Sequence, residues 1–174
     1  MPANNYIKPF NLIVVGGGPA GLMAAGQAAV CGTRTLLLEK MDRPCIKLSI
    51  TGKGRCNLTN TAPLNDFISH FGKNGRFLRQ PFSRFFAPDL LNFFAKLRIE
   101  TVTERGGRVF PANGDAQLVA DKLICWAISC GVEIHAKEQL KKLLTDAGRV
   151  AGVQMRDGRF YKSRMVILAT GGAS

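Results

Sequence analysis

Three glycines, Gly16, Gly18 and Gly21, have the G-x-G-x-x-G spacing found where a strand turns into a helix against a bound pyrophosphate. The first glycine permits a tight turn, the second lets the backbone approach the phosphates, and the third lets the helix pack close to the strand. Pro19 and Ala20 begin the helix, whose positive N-terminal end would face the phosphates. The spacing predicts a dinucleotide site, and the alternative is a glycine turn without a ligand.

An acidic residue stands where such a site requires one. Glu39 ends the second predicted strand, residues 34–39, at about the 20-residue distance from the glycines that this arrangement uses. A carboxylate there accepts hydrogen bonds from the ribose hydroxyls of an adenosine. It would also repel a 2′-phosphate, which makes NADP an unfavourable ligand and leaves FAD and NAD open.

A second candidate segment is KLSITGKGRCNLTN, residues 47–60. It combines two flexible glycines, Gly52 and Gly54, with the cations Lys53 and Arg55. Such a segment could wrap a phosphate or the edge of a flavin ring, and it could equally be a surface loop rich in Asn and Gly. The residues alone leave both interpretations open.

Cys56 is the one candidate for a catalytic residue, because the cation of Arg55 could lower the pKa of its thiol. No second cysteine is near enough in sequence for a disulfide-reductase pair, which favours a structural or flavin-contacting thiol. No C-x-x-C pair occurs, so neither a metal site nor a thioredoxin-like pair is indicated. The cysteines in apolar helical patterns are expected to be buried: Cys31, Cys125 and Cys130.

The hydrophobic pattern places these residues on an α/β framework. An apolar strand at residues 10–15, a helix at 19–31 and a strand at 34–39 form a βαβ unit. A long loop is predicted over residues 40–63, followed by short helices over 64–97 that Pro81 and Pro88 divide and by a hairpin over 101–111. A helix from Ala116 to Cys130, capped by Gly114 or Asp115, comes next. The chain then forms a small β-meander and a buried strand from Met165 to Ala169. The fold class is therefore a Rossmann-like FAD/NAD(P)-binding domain with a central parallel sheet.

The 174-residue chain has a formal net charge of +12, which raises nucleic-acid binding as a hypothesis. The positive residues are scattered, and the densest stretches are Arg76 to Arg84 and Lys137 to Lys142, so a nucleic-acid partner is disfavoured. No apolar run reaches the length of a bilayer span. Lys8 is the only charged residue before the first apolar run, and this pattern does not fit a secretory signal peptide. We therefore expect a cytoplasmic protein without membrane association.

The motifs resemble, in order and over nearly the whole chain, the N-terminal part of the bacterial HI0933-like flavoproteins, described as NAD(P)/FAD-dependent or aminoacetone-oxidase-like oxidoreductases. The matching stretches are VVGGGPAGLMAA, Glu39-Lys40, KLSITGKGRCNLTN, GRVFPANGDAQLVADKL and VILATGGAS, of which GRCNLTN is the most specific. Lys53 departs from the family, which more often has glycine there. The resemblance implies FAD rather than NAD as cofactor. It implies a small organic substrate and, in the intact protein, NAD(P)H or oxygen as the other redox partner.

The resemblance also implies which residues contact the cofactor. The strand that ends at residues 169–171 would return beside the first glycine, and an apolar strand ending in Thr-Gly-Gly independently suits close approach to a ligand. The loop from Lys47 to Asn57 would line the pyrophosphate and flavin, and the backbone near Leu140 would face the adenine. The expected cofactor-binding residues are Gly16, Gly18, Pro19, Ala20, Gly21, Glu39, Lys40, Lys47, Thr51, Gly52, Gly54, Arg55, Cys56, Asn57, Leu140, Ala169, Thr170 and Gly171.

By the same resemblance, residues 1–174 are expected to be an incomplete FAD-binding domain. Family members continue with a substrate domain and a last glycine-rich FAD motif, so no catalytic acid or base is assigned here. His70 and His135 are expected to be packing or surface residues. Two other functions stay open: a non-catalytic flavin- or dinucleotide-binding module and, less favoured, a basic nucleic-acid-binding protein.

Overall fold

The computed structural model describes residues 9–172, so Lys8 and the last two residues of the VILATGGAS stretch lie outside the described residues. The chain divides into two compact units. The first unit is Met1–Lys47 with Ala120–Ser174, and the second unit is Leu48–Val119.

A six-stranded sheet forms the centre of the first unit. Its strands are β1 (Phe10–Val15), β2 (Thr35–Leu38), β6 (Glu133–His135), β7 (Leu140–Asp146), β8 (Arg149–Met155) and β9 (Phe160–Leu168), in the order β6-β2-β1-β9-β8-β7. Strands β6, β2, β1 and β9 pair in parallel. Strands β7, β8 and the first part of β9 form an antiparallel meander. The predicted Rossmann-like α/β fold, with a central parallel sheet, helices and a small β-meander, is confirmed.

The apolar runs of β1 and β2 explain why these strands occupy the middle of the sheet. Their register pairs Ile13 with Leu36 and Val15 with Leu38. Ile13 and Leu36 are fully buried, as expected for parallel strands covered on both faces. This burial fixes the ends of β1 and β2, and the glycines and Glu39 lie directly after those ends.

Two helices of the sheet layer have sequence features that set their bounds and packing. Helix α1 (Pro19–Val30) begins with the proline that the sequence placed in its first turn. Helix α6 (Ala116–Ser129) is capped by Asp115, whose Oδ1 accepts the N–H groups of the second and third helical residues at 2.8 and 3.1 Å. A Cβ added at Gly26 would lie 2.4 Å from the Trp126 ring, so glycine lets α1 approach α6 closely.

The second unit contains a small antiparallel sheet and several short helices. Its strands are β3 (Thr59–Asn60), β4 (Thr101–Thr103) and β5 (Arg108–Pro111), in the order β3-β5-β4. Its helices are α3 (Leu64–Ser69), α4 (Gly75–Phe82) and α5 (Ala87–Lys96), while α2 (Ile46–Ile50) and α6 each have residues in both units. The predicted hairpin and short helices are confirmed.

Two details of the predicted elements are wrong. Residues 40–63 are not a continuous loop, because they contain α2, a 3-10 turn at Thr51–Gly54 and β3. Pro81 does not separate two helices but lies inside the last turn of α4. Because proline has no N–H, the backbone hydrogen bond from position 81 to the carbonyl of Phe77 is missing there. Pro88, in contrast, lies in the first turn of α5, where proline is favoured.

Two expectations about burial are also wrong. Cys31 and Cys125 are exposed and Cys130 is half-buried, because an apolar helical pattern does not show which side of the helix is covered. In β9, Met165 and Leu168 are 52% and 56% exposed. The ladder between β8 and β9 ends at Lys162, so the second half of β9 pairs with β1 alone among the described strands. Within residues 9–172, no helix has the length and apolar character to cross a bilayer.

Candidate dinucleotide-binding site

The glycine loop, residues 16–21, begins with a turn that only glycine adopts easily. Gly16 has a φ of 108°, and its N–H donates to the carbonyl oxygen of Leu38 at 2.8 Å. A Cβ at Gly16 would lie 2.3 Å from the carbonyl oxygen of Ala169, whose N–H donates to Val15 at 2.8 Å. The strand end at Ala169 therefore lies directly beside the first glycine, as the family resemblance implied.

The other two motif glycines have opposite surroundings. A Cβ at Gly21 would lie 1.9 Å from the carbonyl oxygen of Gly16, so glycine is required for α1 to pack against the turn. At Gly18, the N-cap of α1, an added Cβ would meet no atom of the described chain within 4 Å. Pro19 and Ala20 are exposed, and α1 has no acidic side chain in its first turn. The open side of Gly18 thus leaves room for an anion at the positive end of α1.

Glu39 joins the glycine loop to the turn that follows β2. Its side chain is buried, with 8% exposed. One carboxylate oxygen, Oε2, accepts the N–H of Gly17 at 2.6 Å, and Oε1 accepts the N–H of Met41 at 2.8 Å. A carboxylate has about four acceptor positions. These two hydrogen bonds therefore orient the group and leave it able to accept ribose hydroxyls.

A cavity of about 250 Å³ lies beside Glu39 in the first unit. Five predicted site residues line it: Gly16, Glu39, Lys40, Leu140 and Thr170. Whole-ligand pockets usually measure about 300 to 1,000 Å³. The cavity is therefore of a size for one end of a dinucleotide, such as a nucleoside.

Glu138, a buried carboxylate that no sequence pattern indicated, also lines this cavity. Its Oε1 lies 2.8 Å from Nη1 of Arg159 and accepts the hydroxyl of Tyr161 at 3.3 Å. Its Oε2 is buried without a hydrogen-bond partner in the described part of the chain. Its backbone N–H donates to the carbonyl oxygen of Glu39 at 2.8 Å. The ion pair and this backbone hydrogen bond thus hold the segment at Glu138 directly beside Glu39 on the cavity wall.

The ionisation of this cluster follows from its burial and charges. Burial raises the pKa of Tyr161, and the negative charge of Glu138 raises it further, so Tyr161 stays a protonated donor. A hydrogen bond from Arg159 lowers the pKa of Asp157. No spacing signals this cluster, because Glu138 precedes β7 and Arg159 lies between β8 and β9, and the two meet only when the meander folds.

The TGKGRCN loop, residues 51–57, belongs to the second unit and has an unusual backbone. The N–H of Arg55 donates to Gly52 at 3.2 Å, and the N–H of Cys56 donates to Thr51 at 3.0 Å. Four residues have left-handed φ values between 57° and 83°: Gly52, Lys53, Gly54 and Cys56. Such a backbone costs non-glycine residues about 1–2 kcal/mol each. Strain of this kind persists where the surroundings impose it, and it clusters at functional loops.

The thiol of Cys56 is fully buried in an apolar cluster of the second unit. Burial raises the pKa of this thiol, and a hydrogen bond with Thr51 offsets the rise only in part. Arg55, which the sequence offered as its activator, instead forms an ion pair with Glu104 and lies 4.3 Å from the ring centre of Phe110. A nucleophilic thiol needs a lowered pKa and access to solvent, so this geometry favours a structural role.

The remaining predicted residues of this segment have structural contacts of their own. The Asn57 amide faces the carbonyl oxygens of Val109 and Thr59, at 3.2 and 3.0 Å with its nitrogen donating. The hydroxyl of Thr51 donates to Leu48 at 2.8 Å. Lys47 lies in α2 and belongs to the first unit, whereas residues 51–57 belong to the second.

The βαβ unit, the glycine turn at its start and the acid at the end of β2 define a Rossmann-type dinucleotide-binding protein. The sequence profile of the HI0933-like protein Rossmann domain matches residues 10–174. The chain belongs to this family, which confirms the resemblance that its motifs predicted.

Two curated relatives and one solved structure are similar to most of the chain. The 3-dehydro-bile acid delta(4,6)-reductase of Clostridium scindens is 33% identical over 91% of this chain and 38% of its own length. The ribosomal RNA dihydrouridine synthase of Escherichia coli is 25% identical over 97% of this chain and 41% of its own. The 3-ketosteroid-delta4-(5alpha)-dehydrogenase of Rhodococcus jostii has a TM-score of 0.70 at 16% identity, covering 98% and 47% of the two chains.

These similarities differ in what they carry. At 16% identity, the dehydrogenase structure supports the fold alone. The chain spans about two fifths of the length of the two curated relatives, 38% and 41%. Both relatives are named as redox enzymes, and both are much longer than this chain of 174 residues.

Proposed function

We propose that this chain is the FAD-binding part of a flavoprotein oxidoreductase. One observation carries the proposal: the open side of Gly18 at the start of α1 accompanies a buried, oriented Glu39 that lines a nucleoside-sized cavity. This combination suits a pyrophosphate and an adenosine ribose. The redox names of the curated relatives support a flavin as the rest of the ligand.

The predicted site residues of the first unit each have a defined role in this proposal. The N-terminus of α1, with Gly18, Pro19 and Ala20, holds the phosphates through the helix dipole and backbone N–H groups. The carboxylate of Glu39 accepts hydrogen bonds from the ribose hydroxyls. The adenine end lies along the backbone at Leu140, with these residues completing the wall of the site: Gly16, Gly21, Lys40, Ala169, Thr170 and Gly171.

We also assign the TGKGRCN loop, together with Lys47, to the pyrophosphate and flavin end of the ligand. Its strained backbone and fixed side chains support a functional loop rather than a passive surface turn. In this assignment the backbone at Thr51, Gly52, Gly54 and Asn57 contacts the ligand, because the Asn57 amide and the Arg55 guanidinium are engaged by carbonyl oxygens and by Glu104. Cys56 supports the loop from its buried position and has no catalytic role.

When bound, FAD would supply transfer of a hydride or an electron pair, while the protein binds and orients it. We propose a small organic molecule as the substrate of the whole protein, with NAD(P)H or oxygen as the other redox partner and a cytoplasmic location. A non-catalytic flavin-binding module is the alternative for the 174-residue chain by itself.

A visible spectrum of the purified protein after addition and removal of free FAD tests this function. The proposal predicts retained flavin absorption, and bleaching of that absorption when NADH or NADPH is added to the whole protein without oxygen. Flavin that is retained but never reduced by any donor would support the module instead. A protein that retains no flavin would overturn both.

A second candidate function is reduction of a base in RNA. The net charge of +12 and the name of the Escherichia coli relative favour it. Mass analysis of ribosomal RNA nucleosides from cells with and without the gene distinguishes the two substrates. Loss of a reduced base would support RNA, and an unchanged nucleoside profile would leave the small-molecule substrate as the proposal.

A further inference from the structure

The Phe-rich hairpin, residues 64–86 of the second unit, has an exposed surface that the flavin proposal does not use. It consists of α3, α4, the turn between them and residues 83–86, which follow α4. A Cβ at Gly75 would lie 2.3 Å from the carbonyl oxygen of Ile68, so the helices meet without a gap. Four rings pack on one another with centroids 5.2 to 6.3 Å apart: Phe67, Phe71, Phe82 and Phe86. The hairpin is therefore a fixed platform.

The outer side of the Phe-rich hairpin is strongly cationic. No acidic residue occurs between Asp66 and Asp89. Four exposed cations lie in this stretch, and none of them forms an ion pair within residues 9–172: Lys73, Arg76, Arg79 and Arg84. Uncompensated charge of one sign on a small surface attracts a polyanion.

An exposed aromatic ring directly follows Arg76 in α4. Phe77 is 83% exposed, and it lines a groove of about 500 Å³ with Phe71, Asn74 and Leu78. Single-stranded nucleic acids are bound by surfaces of this composition, because unpaired bases stack on aromatic rings while phosphates contact cations. The groove is open to solvent, so an unpaired base can reach the ring of Phe77.

We propose that the Phe-rich hairpin binds single-stranded RNA, with a base stacked on Phe77 and the phosphates held by the four cations. An anionic bilayer would be attracted by the same charge, but it needs a continuous apolar helix face. Helix α4 presents exposed apolar residues over a single turn only, at Phe77 and Pro81, because Phe82 packs inside the ring cluster and Leu78 is half-buried. The surface contains none of the proposed flavin contacts, so the inference is independent of flavin binding.

Fluorescence anisotropy with a labelled oligouridylate at several salt concentrations tests the proposal. Replacing Arg76 and Arg79 by glutamine lowers the slope of log affinity against log salt by about 1.4, from about 0.7 for each lost phosphate contact on a single strand. Phe77→Ala weakens binding about 5- to 150-fold with the slope unchanged, which is the contribution of one stacked base. Because Phe77 is exposed, its replacement leaves the thermal unfolding curve intact.

Matched controls separate this surface from general attraction. Replacing Lys96 and Arg98 by glutamine removes the same charge elsewhere in the second unit, and Phe160→Ala removes an exposed ring from β9. Both leave the affinity for RNA near that of the unaltered chain. The amount of bound flavin is also measured for every variant. A variant that loses RNA binding but keeps its flavin then bears on the RNA proposal alone.

Four results would overturn the proposal. The first is the absence of RNA binding at low salt, and the second is an equal loss of affinity in the control variants. The third is duplex RNA that binds as tightly as the single strand, since paired bases cannot stack on Phe77. The fourth is a pair of results: binding to vesicles of anionic lipid requires Phe77, but RNA binding does not. That pair would assign the surface to membranes.

Discussion

The glycine loop and the TGKGRCN loop are both rich in glycine, but their glycines do different things. In the glycine loop, Cβ atoms at Gly16 and Gly21 would come within 2.3 and 1.9 Å of backbone oxygens. In the TGKGRCN loop, a Cβ at Gly54 would meet nothing within 4 Å, and the position is special only for its φ of 83°. Gly21 is thus required by packing alone and Gly16 by both packing and its φ of 108°, whereas Gly54 is required by backbone conformation alone.

This difference reflects how each loop is positioned. The glycine loop lies between β1 and α1, two regular elements whose approach leaves no space for a side chain. The TGKGRCN loop is held by its own turn, by the buried Cys56 and by the amide of Asn57. The first loop is therefore sensitive to volume, and the second is sensitive to backbone freedom.

The largest effect that separates the loops is expected for Gly21→Ala. Its new Cβ overlaps the carbonyl oxygen of Gly16, so the free energy of unfolding should fall by about 3 kcal/mol, the upper part of the range for overpacking. Chemical denaturation measures this change. The matched variant Gly18→Ala points its Cβ into open space and should cost less than about 1 kcal/mol. Equal costs for the two variants would contradict the packing account.

Glu39→Ala is expected to act mainly on the ligand. Hydrogen bonds to a charged group contribute about 1.5–3 kcal/mol, so the affinity for FAD should fall about 10- to 150-fold in a calorimetric titration. Glu133→Ala removes the same charge from a half-exposed side chain of β6 and should leave the affinity unchanged. An affinity for FAD that survives Glu39→Ala would restrict this residue to holding the loop together.

Gly54→Ala is expected to have a smaller effect on stability than Gly21→Ala. Its left-handed backbone costs an alanine about 1–2 kcal/mol, which chemical denaturation detects. Gly54→Asn should cost less, because asparagine tolerates this conformation. If alanine and asparagine proved equally harmful, a hidden contact rather than backbone conformation would govern the position.

The smallest expected effect concerns the cysteines. Burial raises the pKa of Cys56 above its ordinary value of 9.0, so the stabilising contribution of the neutral thiol is complete below pH 9 and is lost as the pH rises through the folded-state pKa. Near neutral pH, iodoacetamide should modify the exposed Cys31 and Cys125 well before Cys56, as followed by mass spectrometry. Early modification of Cys56 would return it to the catalytic candidates.

The elements that could be predicted from the sequence are those with a regular hydrophobic pattern or a local capping residue. The apolar run of β1, the proline that begins α1 and the acid after β2 each have a local physical cause. The failures lie where the partner is distant or the backbone irregular. The exposure of Cys31 depends on which helix face is covered, and the role of Glu138 depends on Arg159 across the folded meander. The turn at Thr51–Gly54 follows left-handed conformations that composition does not specify.

The central claim is that the glycine loop and Glu39 bind the AMP and pyrophosphate half of FAD. Calorimetric titration of the protein with FAD, in the presence of ADP or FMN, tests this claim most directly. The account predicts that ADP competes with FAD, that FMN, which lacks the AMP half, does not, and that Gly18→Val loses both FAD and ADP while its unfolding curve is little changed. FAD binding that is insensitive to ADP and retained in Gly18→Val would contradict it.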